Sequence, residues 1–355
     1  NYHSKYLTES MKNYPKYFSN EEQLEEALSR PTPKLIKMMK ELDGDFMMLG
    51  VAGKMGISMA RMAKRACDEA GVGKKIIGVS RFSAPEQQSF LEESGIETIK
   101  GDLLDIDFIN NLPELKNVIY LAGMKFGTDG NESYTWAMNS YLPGLVVDKF
   151  KNSRIVAFST GCVYPLVKIN SGGSKESDWA GPIGEYAQSC LGRERLFEFG
   201  SLKNGTDVIL IRLNYAVEMR YGVLVDIATK VKNEETIDLI MGYANVIWQG
   251  DANDMILRSI QLGTSPANHL NISGAETISV ANIARKFGEI MGKGVKFSGK
   301  EADSALLVNV SKSHKMLGEP SVPLDQIIKW TGDWIGKDHR LLGKATHFEV
   351  RDGKY

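Results

Sequence analysis

The sequence predicts a doubly wound α/β fold, a parallel sheet covered by helices on both faces, with a smaller C-terminal α/β domain. The first observation is a series of short apolar runs: Phe46-Met47-Met48-Leu49, Ile76-Ile77-Gly78-Val79, Val118-Ile119-Tyr120-Leu121, Ile155-Val156-Ala157-Phe158 and Val208-Ile209-Leu210-Ile211. Continuous apolar strands suit a sheet buried on both faces. The second is that helical stretches alternate with these runs, the signature of βαβ units. The third is a glycine-rich turn directly after the first run. The bulk composition agrees. The chain has 355 residues, 43% hydrophobic and 25% charged, with a formal net charge of −1. That balance supports a sizeable core and gives no pull toward nucleic acid or an anionic membrane. Three scattered cysteines, Cys67, Cys162 and Cys190, fit a reducing compartment better than a disulfide framework. His3, His269, His314, His339 and His347 show no metal-ligand spacing, so no metal is expected. No apolar run reaches signal-peptide or transmembrane length, and the expected setting is the cytoplasm.

Residues 1–43 form an expected N-terminal helical extension. Ser19-Asn20-Glu21-Glu22 reads as a capping box for a helix running to about Ser29. Thr32 caps a second helix with Pro33 at its first position, and Asp43-Gly44 ends it. This extension should pack on the domain or on a second subunit. Residues 44–212 are the expected nucleotide-binding Rossmann domain. Residues 213–355 are mainly a substrate domain and tail, with some segments returning to the first domain. Helices are expected at 57–70, 279–291 and 324–336.

Gly50-Val51-Ala52-Gly53-Lys54-Met55-Gly56 links the first strand to the first helix of this unit. Glycines let the backbone approach a diphosphate, and the helix start offers it unpaired N–H groups and a partial positive charge. A glycine triplet alone says little; between a strand and a helix it points to a dinucleotide. The next strand ends Val79-Ser80-Arg81. An acidic residue there grips the adenosine ribose hydroxyls of NAD. Ser80 removes that carboxylate and Arg81 offers a partner for a 2′-phosphate, which favours NADP modestly over NAD.

Further segments carry a family resemblance. They are Gly101-Asp102-Leu103-Leu104, Leu121-Ala122-Gly123-Met124-Lys125, Ser159-Thr160-Gly161-Cys162-Val163-Tyr164, Glu176 through Tyr186, and Leu270-Asn271-Ile272-Ser273-Gly274-Ala275-Glu276-Thr277-Ile278-Ser279-Val280. With the GxxGxxG spacing they resemble the NAD-dependent epimerase/dehydratase family, the extended short-chain dehydrogenases/reductases, over residues 45–336. The resemblance implies that Asp102 and Leu103 meet the adenine. It implies that Leu121, Ala122, Gly123 and Lys125 lie along the cofactor, and that Asn139 is the Asn of the long central helix. Tyr186 becomes the catalytic acid/base and a cofactor contact, and Thr160 the hydroxyl that steadies the reacting oxygen. Cys162, Asn214, Tyr215 and Arg220 become candidate substrate contacts, with Arg212 and Tyr221 nearby. A homodimer built on two long helices is implied as well.

The chemistry requires these residue types. A phenol of pKa about 10 must be partly ionised near neutrality to take a proton from a sugar hydroxyl, and a nearby cation favours that. The family supplies a Lys four residues after the Tyr. Here that residue is Cys190, one helical turn on and on the same face. Lys125 or Arg193 are the candidate replacement cations. Cys190 itself reads as a reactive thiol or as an inert small hydrophobe. Arg212-Leu213-Asn214 carries its Asn one place early against the family's R-x-x-N, so a nucleotide-sugar substrate does not follow from the residues. Two functions stand at this point. One is an NAD(P)-dependent epimerase, dehydratase or dehydrogenase acting on a hydroxyl of a carbohydrate. The other is a dinucleotide-bound sensor or partner protein without turnover. The tail at His347-Phe348-Glu349-Val350-Arg351-Asp352 receives no role.

Overall fold

The computed structural model describes residue 11 and residues 14–354; His3 lies outside the described residues. A seven-stranded parallel sheet forms the centre. Its strands are β1 (Phe46–Leu49), β2 (Ile76–Ser80), β3 (Glu97–Lys100), β4 (Asn117–Tyr120), β5 (Arg154–Thr160), β6 (Val208–Leu213) and β7 (Asn268–Ile272). Their order across the sheet is β7-β6-β5-β4-β1-β2-β3, every neighbouring pair parallel. The chain winds outward from β1 in one direction and from β4 in the other. The C-terminal ends of β1 and β4 therefore meet at the switch point where α/β sheets bind ligands. Strands β1 and β4 are buried along their whole length, which is why they read as unbroken apolar runs. Edge strand β3 is only half-buried, with Glu97 and Lys100 exposed, and escapes that pattern.

The helices named here are α1 (Glu21–Leu28), α2 (Pro33–Glu41), α3 (Gly56–Ala70), α4 (Gly184–Asn204), α5 (Val223–Lys232), α6 (Gln249–Arg258), α7 (Val280–Met291) and α8 (Leu324–Gly336). The first cap differs by one residue from expectation. Asn20, not Ser19, is the N-cap of α1, its side chain accepting from Gln23 N, and the Gln23 side chain accepts from Ser19 N. Glu22 is left outside the box. Thr32 caps α2 as expected, with Pro33 in its first turn.

The extension packs within its own chain. Leu35, Met38 and Met39 of α2 join Met59, Met62 and Ala63 of α3 in one buried cluster. Arg65 of α3 donates to the Glu26 carbonyl and the Ser29 hydroxyl at the end of α1. Phe18 lies 4.7 Å from the Trp330 ring and stacks on Trp248 at 6.2 Å. Helices α5, α7 and α8 build a second core with Trp248, Trp330 and Trp334. Strand β7 returns from this C-terminal region to the main sheet beside β6. Among the described residues, no helix is long and apolar enough to cross a membrane.

Candidate active site

The glycine turn is shaped by contacts that exclude side chains. Gly50 has φ +84, and a Cβ on it would lie 2.7 Å from the Ala122 N and Cα. The turn after β1 and the loop after β4 thus touch backbone to backbone. A Cβ on Gly56 would collide with the Val51 carbonyl, so this first residue of α3 packs directly under the turn. Helix α3 begins with no side-chain cap and no acidic residue in its first turn. Its orphan N–H groups and positive end are left for an anion.

A cavity of about 290 Å³ opens at this point. The turn lines it with Gly50, Gly53, Lys54, Met55 and Gly56, and the loop after β4 with Leu121, Gly123, Met124 and Lys125. Strand β5 and its end supply Phe158, Ser159, Thr160 and Cys162, and α4 supplies Tyr186 and Arg193. Asn214, Tyr215, Tyr221, Gln249 and Thr346 close the opposite side. Thr160, Tyr186 and the glycine turn, far apart in sequence, therefore share one cavity. A dinucleotide fits its donor set: bared backbone at Gly53 and Gly123, an uncapped helix start, and two ammonium groups.

The Thr160 hydroxyl and the Cys190 thiol are polar neighbours of the Tyr186 phenol. Burial is the largest effect on Tyr186 and pushes its pKa well up; Cys190 and Cys162 push the same way, while Arg193 and the Thr160 hydroxyl oppose them. Burial likewise raises the Cys190 thiol to about 11. Cys190 is therefore a neutral thiol, the inert of its two readings. Arg193 stands two turns beyond Tyr186 on the same side of α4. Its guanidinium donates to the Phe158 carbonyl at 2.8 Å and to Asn139 Oδ1 at 2.7 Å.

Asn139 lies under the cavity floor, fully buried. It sits in a π-helical turn, Ala137–Tyr141. Its amide accepts from Met124 N and donates to the Met124 carbonyl and to Ser189 Oγ. Asn139 thus fixes the loop carrying Gly123 and Lys125. Ala122 is packed beneath Gly50 and does not line the cavity. Ser80, Arg81, Asp102 and Leu103 gather at the ends of β2 and β3, away from it: Gly101 N bonds the Ser80 carbonyl, Arg81 reaches the Tyr134 hydroxyl at 3.3 Å, and Asp102 accepts from Leu104 N. Arg220 is turned from the cavity and committed to Glu218, Glu21 and Glu25.

Arg212 also lies outside the cavity. It grips Glu194 of α4 with both ends of its guanidinium, at 2.9 and 2.7 Å, and donates to the Tyr164 hydroxyl. Ser159 donates to the same carboxylate. This buried network ties β5, β6 and α4 together behind the Thr160–Tyr186 pair. Glu194, Glu198 and His269 bring ligand-type atoms within 4.8 Å of one another, but the Glu194 carboxylate is already held by Arg212.

Sequence reasoning missed the tail. Lys125 Nζ donates to the Thr346 carbonyl at 3.3 Å. Thr346 N and Oγ1 both bond the Asp226 carboxylate of α5. Phe348 is buried in the second core, and Arg351 donates to the Ser304 carbonyl and hydroxyl. The tail is a wall of the site held at both ends, and no local sequence pattern announces it.

No protein-family model and no curated protein matches the chain. Solved structures do match by shape. A UDP-glucuronic acid 4-epimerase from Bacillus cereus, solved with a fluorinated UDP-glucuronic acid and NAD, superposes with TM-score 0.68 at 14% identity, covering 82% of this chain and 99% of that one. A UDP-glucose 4-epimerase from Thermotoga maritima with UDP-glucose gives 0.67 at 17% identity over the same shares. MoeE5 with UDP-glucose and NAD gives 0.67 at 15%, again over 82% and 99%. Across most of its length the chain has the fold of the NAD-dependent UDP-sugar 4-epimerases of the extended short-chain dehydrogenase/reductase family.

Proposed function

We propose that this protein is an NAD(P)-dependent oxidoreductase of the epimerase/dehydratase kind, acting on a hydroxyl of a sugar or sugar-derived substrate. The observation that carries the reading is that Thr160 and Tyr186 line one cavity with the glycine turn at the start of α3. Residues 44–212 carry the dinucleotide in this reading, and 213–355 supply the substrate side. The start of α3 holds the diphosphate, with Gly50, Gly53, Met55 and Gly56 giving close backbone approach. Leu121 and Gly123 flank the cofactor, with Lys125 beside them, Ala122 packed beneath Gly50 and Asn139 holding the loop from below. Ser80, Arg81, Asp102 and Leu103 form the adenosine end, and Arg81 favours NADP. When bound, the nicotinamide supplies the hydride acceptor and donor.

Tyr186 Oη takes the proton of the substrate hydroxyl and returns it, and Thr160 Oγ1 donates to the reacting oxygen. The phenol's raised pKa means that it works only with positive charge close by. Arg193, charge-coupled to Tyr186, and Lys125, whose ammonium is 5.7 Å from the Tyr186 ring centroid, provide it in place of the absent lysine. Cys162, Asn214 and Tyr215 face the substrate. The test incubates the protein and NAD⁺ or NADP⁺ with a panel of sugars and sugar acids, following nicotinamide absorbance for net oxidation and NMR of the sugar for epimerisation or dehydration, in which the hydride is returned to the product. Turnover on a member of the panel supports the enzyme. Tight dinucleotide binding with no turnover supports the sensor reading, which Cys190 in the lysine's place favours.

A homodimer through α4 and the helical run 132–149 is part of the proposal. Tyr141, Phe199 and Leu202 are 57%, 62% and 65% exposed on these helices. Large apolar side chains grouped this way mark an interface. Leu202→Glu is expected to shift the protein from dimer to monomer in sedimentation velocity; a wild-type protein that is already monomeric at micromolar concentration removes the dimer from the account.

A further inference from the structure

We propose that the C-terminal tail, residues 346–353, sets the size of the substrate: it roofs the cleft beside Tyr186, so that the enzyme takes a free sugar and shuts out one carried on a nucleotide diphosphate. This rests on the function proposed above and names the size class of its substrate. Cys162 and Tyr215 line two spaces, the active-site cavity and a second void of about 20 Å³. Val350, Arg351 and Gly353 of the tail close that void, with Ile183 just before α4 also lining it. The cleft thus runs on from the cavity past Cys162, and the tail fills it. The space left under the tail has room for about one water molecule.

The roof is fastened to both domains. On the nucleotide side, Lys125 donates to the Thr346 carbonyl. On the other side, the Asp226 carboxylate accepts from Thr346 N at 2.8 Å and from Thr346 Oγ1 at 2.6 Å, and Lys230 pairs with Glu349 at 3.6 Å. Phe348 is buried in the second core, and Arg351 donates to the Ser304 carbonyl and hydroxyl, each at 2.8 Å. The far end is pinned by close backbone packing. A Cβ on Gly353 would collide with the Ile183 carbonyl, and one on Gly184 with the Gly353 carbonyl. Backbone therefore meets backbone two residues before Tyr186. Anchors spread over the whole segment make it a fixed wall.

The flank next to the tail is closed as well. Tyr221 and Gly222 lead into α5, and with Thr346 they form the C-terminal side of the cavity. The Lys54 ammonium packs on the Tyr221 ring, 2.8 Å from its centroid, and so joins the glycine turn to this side. The cavity of about 290 Å³ lies at the small end for a ligand pocket, and a sugar has to share it with the nicotinamide end of the cofactor. With the tail in place, a sugar ring at Tyr186 has no room behind it for a nucleoside diphosphate.

The test compares the wild-type protein, a chain ending at Ala345, and a full-length variant with Thr346→Ala and Arg351→Ala, which loosens the roof without removing it. Cys162 is partly exposed while Cys67 and Cys190 are buried, so Cys162 reports on the roof. It is alkylated with iodoacetamide and, separately, with fluorescein maleimide, and the labelled peptide is identified by mass spectrometry. Loosening the roof is expected to speed the bulky reagent at Cys162 by about tenfold or more, and the small one by less than about threefold. Cys67 and Cys190 that stay unlabelled mark the fold as intact; should the shortened chain expose them, the double variant carries the test. In isothermal titration, the NAD⁺-loaded wild type is expected to show no binding of UDP-glucose up to about 1 mM. Binding of UDP-glucose by the wild type below that concentration overturns the proposal. So does a bulky reagent that reaches Cys162 equally fast in all three proteins. Failure of the proposed function shows separately, as absent NAD⁺ binding by the wild type or no turnover of any sugar, and neither alters the Cys162 rates.

Discussion

Tyr186→Phe is expected to lower kcat by about 10²–10⁴-fold, the usual contribution of a positioned acid/base, while dinucleotide affinity stays within about threefold. The substitution removes one oxygen from a side chain whose ring stays packed against Cys190 and Val163 in a small buried cluster. It deletes the group that takes the substrate proton and leaves the cavity's shape. Thr160→Val should cost less, because the phenol remains. It also loses the hydroxyl whose influence favours ionisation of the phenol, so its activity should rise at higher pH than in the wild type. Stopped-flow reduction of the nicotinamide in each variant checks both statements. A Tyr186→Phe protein with wild-type kcat would leave the proton with another group.

Arg212→Met should be the most destabilising single change behind the site, by about 3–5 kcal/mol, because it strands the buried Glu194 carboxylate. Glu194 is 0% exposed, and Arg212 supplies two of its bonds; among the described residues the Ser159 hydroxyl and the more distant His269, at 3.8 Å, remain. Arg212→Met with Glu194→Leu removes both charges and should recover most of the loss. Urea unfolding of the wild type, the single and the double variant at pH 8 tests this. Equal stability of single and wild type at pH 8 would show the pair to be dispensable.

The fold was legible where burial is two-sided and local. Strands β1, β2, β4, β5 and β6 show as apolar runs because both faces are covered. Strand β3 does not, because an edge strand with Glu97 and Lys100 in water needs no such run. Strand β7 was legible only within the Leu270–Val280 resemblance, since His269 and Asn271 interrupt its apolar pattern. The glycine turn was legible because a tight turn between strand and helix is a short-range event. The Thr160–Tyr186 pairing was not a matter of spacing; the sheet brings the end of β5 to the first turn of α4.

The less legible part of the site is nonlocal charge. Arg220 read as a substrate contact, but Glu218, Glu21 and Glu25 hold it, two of them from a helix nearly 200 residues earlier. The convergence of Lys54 on Tyr221, and of Lys125 on Thr346, depends on a tail whose sequence carries only mixed polar groups. Cys190 read two ways until its burial decided for the neutral thiol.

The most direct test of the account is a crystal structure of the protein with NAD⁺ bound. The account predicts the diphosphate at the start of α3 and the nicotinamide ring in hydrogen-bonding reach of the Tyr186 hydroxyl. A dinucleotide seated elsewhere, or a nicotinamide turned away from that phenol, would contradict it.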